Sequence, residues 1–119
     1  MNRKLKPDFC LQDERGNLVQ LVHEGYDQVN VLFSKKGVLR GEHFHKLSTE
    51  SFYVVTGSVI VSFEMENNIE KETYIAGDFF NVLPNEKHSL YFPEDCWMIA
   101  LYDKAIENLD GSKDIHTEH

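Results

Sequence analysis

The chain has 119 residues and a mass of 13.8 kDa, which at roughly 150 residues per domain makes one domain. It is 41% hydrophobic and 27% charged, the balance of an ordinary globular protein. Twelve Lys and Arg against twenty Asp and Glu leave a formal charge of −8, which excludes the basic footprint of a broad nucleic-acid binder, and no run approaches the roughly 20 apolar residues of a membrane span.

Met1 to Asp8 carries Arg3, Lys4 and Lys6 with no apolar core behind them, so no secretory signal is expected. Cys10 and Cys96 are too few for a disulfide framework, and two reduced thiols fit a cytoplasmic protein. Residues 1–28 read as N-terminal strands. Val29-Asn30-Val31-Leu32-Phe33 is β-branched and apolar. Glu50 to Thr56 alternates, with Phe52, Val54 and Thr56 on one face, until Gly57 interrupts. Ser58 to Phe63 starts a new run, Asn67-Asn68 offers a tight turn, and Ile69 to Ile75 returns. Phe79 to Leu83, His88 to Phe92 and Cys96 to Tyr102 follow, parted by Pro84-Asn85-Glu86-Lys87 and Pro93-Glu94-Asp95. Many short strands at regular spacing indicate an all-β sandwich or barrel. Its interior is predicted from Phe52, Val54, Val59, Val61, Phe63, Phe79, Val82, Leu90, Trp97, Ile99 and Leu101. Lys104 to Leu109 is expected to make a short helix, and Asp110 to His119 a loosely held polar tail.

One constellation carries chemistry. His43-Phe44-His45 on a strand sends both imidazoles to one face and Phe44 to the other. Two such imidazoles can hold a metal ion, or can be paired structural histidines. Gly37, His43, His45, Glu50 and Gly57 form the string G-x5-H-x-H-x4-E-x6-G, and Gly77, Pro84 and His88 follow downstream. Three histidines and a carboxylate suit a borderline divalent metal: Fe, Mn, Ni, Co or Zn. Taken singly, Glu50 could cap a strand end and His88 could be a hydrogen-bonded loop residue. His23, His116 and His119 fit no such pattern and read as surface residues.

The first string resembles the first motif of the cupin superfamily at every defining position. Gly77 to His88 is similar to the second motif, with Pro84 to His88 one residue short, no Gly after the Pro, and Phe92 where an Asn is usual. The resemblance covers residues 29–102 and implies a jelly-roll barrel, the double-stranded β-helix, with residues 103–119 as short helix and tail. It implies His43, His45, Glu50 and His88 as metal ligands, with the shortened loop bearing most on His88. It also implies a homodimer formed by strand exchange, for which Pro7 to Val22 is the candidate segment.

Arg40-Gly41-Glu42-His43-Phe44-His45-Lys46 is further similar to the R-G-x-H-x-H-[KR] run of cupins in bacterial polysaccharide biosynthesis, among them dTDP-sugar ketoisomerases and epimerase-like cupins. In such enzymes His43 and His45 would shuttle a proton through an enediol. Arg40 would hold pyrophosphate or the enediolate, or else form a salt bridge at the barrel rim. The ketoisomerases of that group work without metal and often lack a carboxylate at the position of Glu50. Glu50 therefore argues for metal, and the Arg-Gly run for a sugar ligand. The leading expectation is a metal-binding cupin acting on a carbohydrate or sugar nucleotide as isomerase or epimerase. An Fe(II) dioxygenase and a non-enzymatic small-ligand sensor are the alternatives.

Overall fold

Residues 3–117, described in a computed structural model, build ten strands and no helix. A hairpin of β1 (Phe9–Asp13) and β2 (Gly16–Gln20) pairs only with itself. The first sheet contains β3 (Gln28–Ser34), β5 (Glu50–Thr56), β8 (Phe79–Val82) and β10 (Cys96–Tyr102), in the order β3-β10-β5-β8. The second contains β4 (Leu39–His43), β6 (Ser58–Met65), β7 (Asn68–Ile75) and β9 (Lys87–Tyr91), in the order β4-β9-β6-β7. All pairings are antiparallel, and the two sheets face each other as the jelly roll expected from sequence.

Register explains where the interior changes character. Phe52 stands opposite Ala100 and Val54 opposite Met98 in the first sheet, while Val61 faces Leu90 in the second, and all six are buried. Continue each inner row one step and apolar side chains give way to polar ones. Glu50 follows Phe52 with the same parity, Tyr102 follows Ala100, and His88 follows Leu90. The barrel thus has an apolar floor and a polar end, because side chains two apart along a strand share a face.

Three expectations need correction. Trp97 and Ile99 do not line the barrel; Trp97 is 48% exposed and its ring lies 5.0 Å from that of Phe33 outside the sheet. The inward set on β10 is Cys96, Met98 and Ala100, and a bulge between Trp97 and Met98 resets pairing with β5. No helix forms after Asp103 among the described residues. The six residues from Lys104 to Leu109 are too few to repay helix nucleation, and their backbone finds distant partners. Ile106 N–H donates to Gln28 Oε1 and Ile106 C=O accepts from Asp114 N–H. The segment around residue 114 is also not loose: Phe44 and His116 exchange backbone hydrogen bonds at 2.8 and 2.9 Å, which half-buries His116. Glu118 and His119 lie outside the described residues.

Candidate metal centre

The path into the site begins at Arg40-Gly41-Glu42. Gly41 has φ +95°, and a Cβ there would lie 2.8 Å from the His88 carbonyl oxygen. Only glycine lets β4 approach β9 this closely. Glu42 follows in the left-handed region at φ 63°, and the register shifts between Gly41 and His43. This bulge turns His43 inward beside its β9 partner His88. Phe44 packs to the other side, 2% exposed, and His45 returns to the interior just past the strand. The His43 ring centroid lies 4.9 Å from that of His45 and 4.6 Å from that of His88.

His43, His45, Glu50 and His88 each offer a ligand atom, and these atoms lie within 4.8 Å of one another. Three separate stretches of backbone bring together the four residues that the cupin resemblance singled out, and the short Pro84–His88 loop does not displace His88. Glu50 Oε1 stands 3.1 Å from His45 Nε2 and 3.3 Å from His88 Nε2. A four-coordinate ion with bonds of about 2.1 Å separates its ligands by about 3.4 Å, close to these spacings.

Hydrogen bonding decides what the site can hold. His45 Nδ1–H donates to the Asp114 carbonyl at 2.6 Å, and His88 Nδ1–H to the Glu86 carbonyl at 3.1 Å. In its neutral form each ring turns an Nε2 lone pair toward the Glu50 carboxylate, while a protonated His45 donates Nε2–H to Glu50 Oε1; among the described residues His88 Nε2 is a buried nitrogen without a hydrogen-bond partner. Lone pairs and a carboxylate converging out of water repel unless a cation stands among them. A proton or a divalent metal ion supplies it, and carbonyl-anchored imidazoles are the usual outer arrangement of metal-bound histidine. The four residues therefore fit a transition-metal ion of the type expected from sequence.

Titration follows the same geometry. Burial alone would raise the Glu50 carboxyl, but the hydrogen bond with His45, the closeness of His88 and the Tyr102 hydroxyl overturn this and hold it down to about 2. Burial, then repulsion from His88 and His45, pushes His43 down to about 4. Burial would lower His45 as well, yet its bonds to Glu50 and the Asp114 carbonyl raise it. Burial and the Glu50 charge raise Tyr102, which stays a hydrogen-bond donor to that carboxylate.

A cavity of about 620 Å³ opens onto His43, Glu50 and His88 between edge strands β3 and β4, walled by Arg40, Asn30, Leu32, Phe52, Leu90 and Tyr102. Arg40 reaches its wall held by Ser34 Oγ at 2.8 Å and the Phe33 carbonyl at 3.1 Å; among the described residues no carboxylate pairs with it at the rim. His23 is exposed beside Asp8, away from the cluster. Sequence reading missed Tyr102 and Asp114. Tyr102 was legible in principle, since it ends a strand with the parity of the buried row; Asp114 carries no local signal.

A jelly roll with three histidines and one carboxylate gathered at the open end of its interior defines a cupin-type barrel with a candidate metal centre. The profile of the polysaccharide biosynthesis C-terminal domain matches residues 11–117, and the chain belongs to that family. Its fold is shared by a 3,4-ketoisomerase from Helicobacter canadensis, with TM-score 0.81 and 16% identity over 98% of this chain and 90% of that one. The sugar 3,4-ketoisomerase QdtA from Thermoanaerobacterium thermosaccharolyticum, in complex with TDP, gives 0.78 and 16% over 96% and 86%. The capsular polysaccharide assembling protein CapF from Staphylococcus aureus gives 0.69 and 20% over 91% of this chain, which spans only 31% of CapF. Comparison with curated proteins gives no match.

Proposed function

We propose that the protein is a metal-binding cupin acting on a small carbohydrate, with a sugar nucleotide as substrate class and isomerisation or epimerisation next to a carbonyl as reaction. The observation that supports it most is the convergence of His45 Nε2 and His88 Nε2 on Glu50 at the end of an open cavity. His43, His45, Glu50 and His88 would hold the ion, which when bound polarises a carbonyl oxygen as a Lewis acid. Arg40, on the cavity wall and with no carboxylate partner among the described residues, suits the anionic part of the ligand. The apolar walls, Leu32, Phe52 and Leu90, exclude water from the reacting carbons.

One observation favours a second, metal-free version of the same chemistry. His43 is held neutral while His45 is favoured in its protonated form against Glu50. Neighbouring groups pushed apart in this way can serve as proton acceptor and donor, and Arg40 would then steady an enediolate. Both versions exchange a carbon-bound proton with solvent. Incubation with 4-keto sugar nucleotides in D₂O should place deuterium beside the carbonyl with no oxygen uptake. Oxygen consumption would point to a dioxygenase instead, and binding without exchange to a sensor; either result overturns the isomerase reading.

The same reading includes a homodimer in which the Pro7 to Val22 segment is exchanged onto the partner's barrel of residues 29–102. The hairpin leaves Phe9 51% and Leu18 53% exposed, and edge strand β3 leaves Val31 68% exposed. Light scattering on the full chain should give twice the monomer mass, and Phe9→Asp with Leu18→Asp should give a monomer. A full-length monomer contradicts the exchange.

A further inference from the structure

The proposed chemistry makes no use of the Asp114 side chain, yet the residue is 2% exposed and pulls two remote parts of the chain together. Its carboxylate accepts three successive backbone N–H groups, from Lys46 and Leu47 at 2.8 and 2.9 Å and from Ser48 at 3.0 Å. Its own carbonyl accepts from His45 Nδ1 at 2.6 Å. His116, two residues on, doubles the attachment by pairing with the Phe44 backbone and sending Nε2 to Asp114 Oδ1 at 3.1 Å. The loop that leaves His45 is thus gripped on its amides by the side chain whose carbonyl holds the ring.

We propose that Asp114 is a positioning residue, and that the strap of residues 113–116 fixes His45 with Nδ1–H turned away from the site and Nε2 turned into it. The alternative tautomer would put an N–H on the site side and a lone pair against the Asp114 carbonyl, so the strap selects one ring state as well as one orientation. None of the strap residues belongs to the apolar core between the sheets, so releasing it leaves the barrel in place. The inference rests on the reading of His45 as a site ligand for its functional meaning, but the ring state itself can be read without metal.

The experiment uses full-length protein with ¹⁵N-labelled histidine, metal-free at alkaline pH and then with Zn²⁺, compared with Asp114→Ala and Asp114→Asn. In the unsubstituted protein His45 should show an Nδ1–H that exchanges slowly with water. Asp114→Ala should lose that protection, admit the other tautomer and bind Zn²⁺ about 10–100-fold more weakly. Asp114→Asn, which keeps an amide oxygen for the backbone donors, should recover part of both. Should Asp114→Ala fail to fold, a chain ending at Asp110 provides the same comparison. Unchanged Nδ1–H protection in Asp114→Ala, or in the shortened chain, overturns the proposal. Absence of Zn²⁺ binding by the unsubstituted protein would instead count against the metal reading, while the tautomer comparison still decides the role of Asp114.

Discussion

Glu50 and Tyr102 stand opposite each other in the register of β5 and β10, and the phenol hydroxyl hydrogen-bonds the carboxylate inside the barrel. Tyr102 brings a donor to a carboxylate only 2% exposed, where an unmet acceptor is costly. Tyr102→Phe should therefore raise the Glu50 carboxyl from about 2 and cost about 1.5–3 kcal/mol of stability. A carboxyl-carbon NMR titration with urea unfolding checks both.

Gly41 is where the backbone makes room for the site. A side chain there meets the His88 carbonyl at 2.8 Å in a conformation, φ +95°, that other residues rarely adopt. Gly41→Ala should destabilise the fold by about 1–3 kcal/mol and weaken metal uptake, because β4 and β9 must part and carry His43 and His88 with them. Denaturation midpoints and metal content should fall together; loss of neither would mean the bulge does not set the histidines.

Acid should weaken the metal-free protein in a definite window. The folded value for His43, about 4, lies below its ordinary 6.5, so the unfolded chain takes up that proton first as pH falls. The contribution of His43 to stability is complete above 6.5 and is lost progressively toward 4. His45, shifted upward, acts on the other side: its contribution is complete below 6.5 and fades as pH rises past its folded value. Glu50 loses its contribution only between 4.5 and about 2. Urea unfolding between pH 6.5 and 4.5 should show falling stability, and His43→Gln should flatten that fall.

The barrel was readable because period-two alternation and turn residues are local properties of the chain, and the four clustered residues because the His-x-His spacing and the likeness to the cupin motifs singled them out. Strands β5, β6, β8, β9 and β10 lie within two residues of the apolar runs that predicted them. Trp97 and Ile99 were misplaced because both faces of β10 carry apolar residues, so alternation alone does not separate the inward row of Cys96, Met98 and Ala100 from the outward one. The contributions of Asp114 and His116 depend on hydrogen bonds spanning about seventy positions, which composition near residue 114 does not reveal. A polar segment looks like a tail until its partners are known.

The central claim is that His43, His45, Glu50 and His88 together hold one divalent ion. Elemental analysis of the purified chain beside Glu50→Gln tests it most directly, since the amide keeps the shape of the carboxylate and removes its charge. The account predicts about one transition-metal ion per chain in the first and little in the second. Equal metal in both, or none in the unsubstituted protein after exposure to Zn, Fe, Mn, Co or Ni, would contradict it.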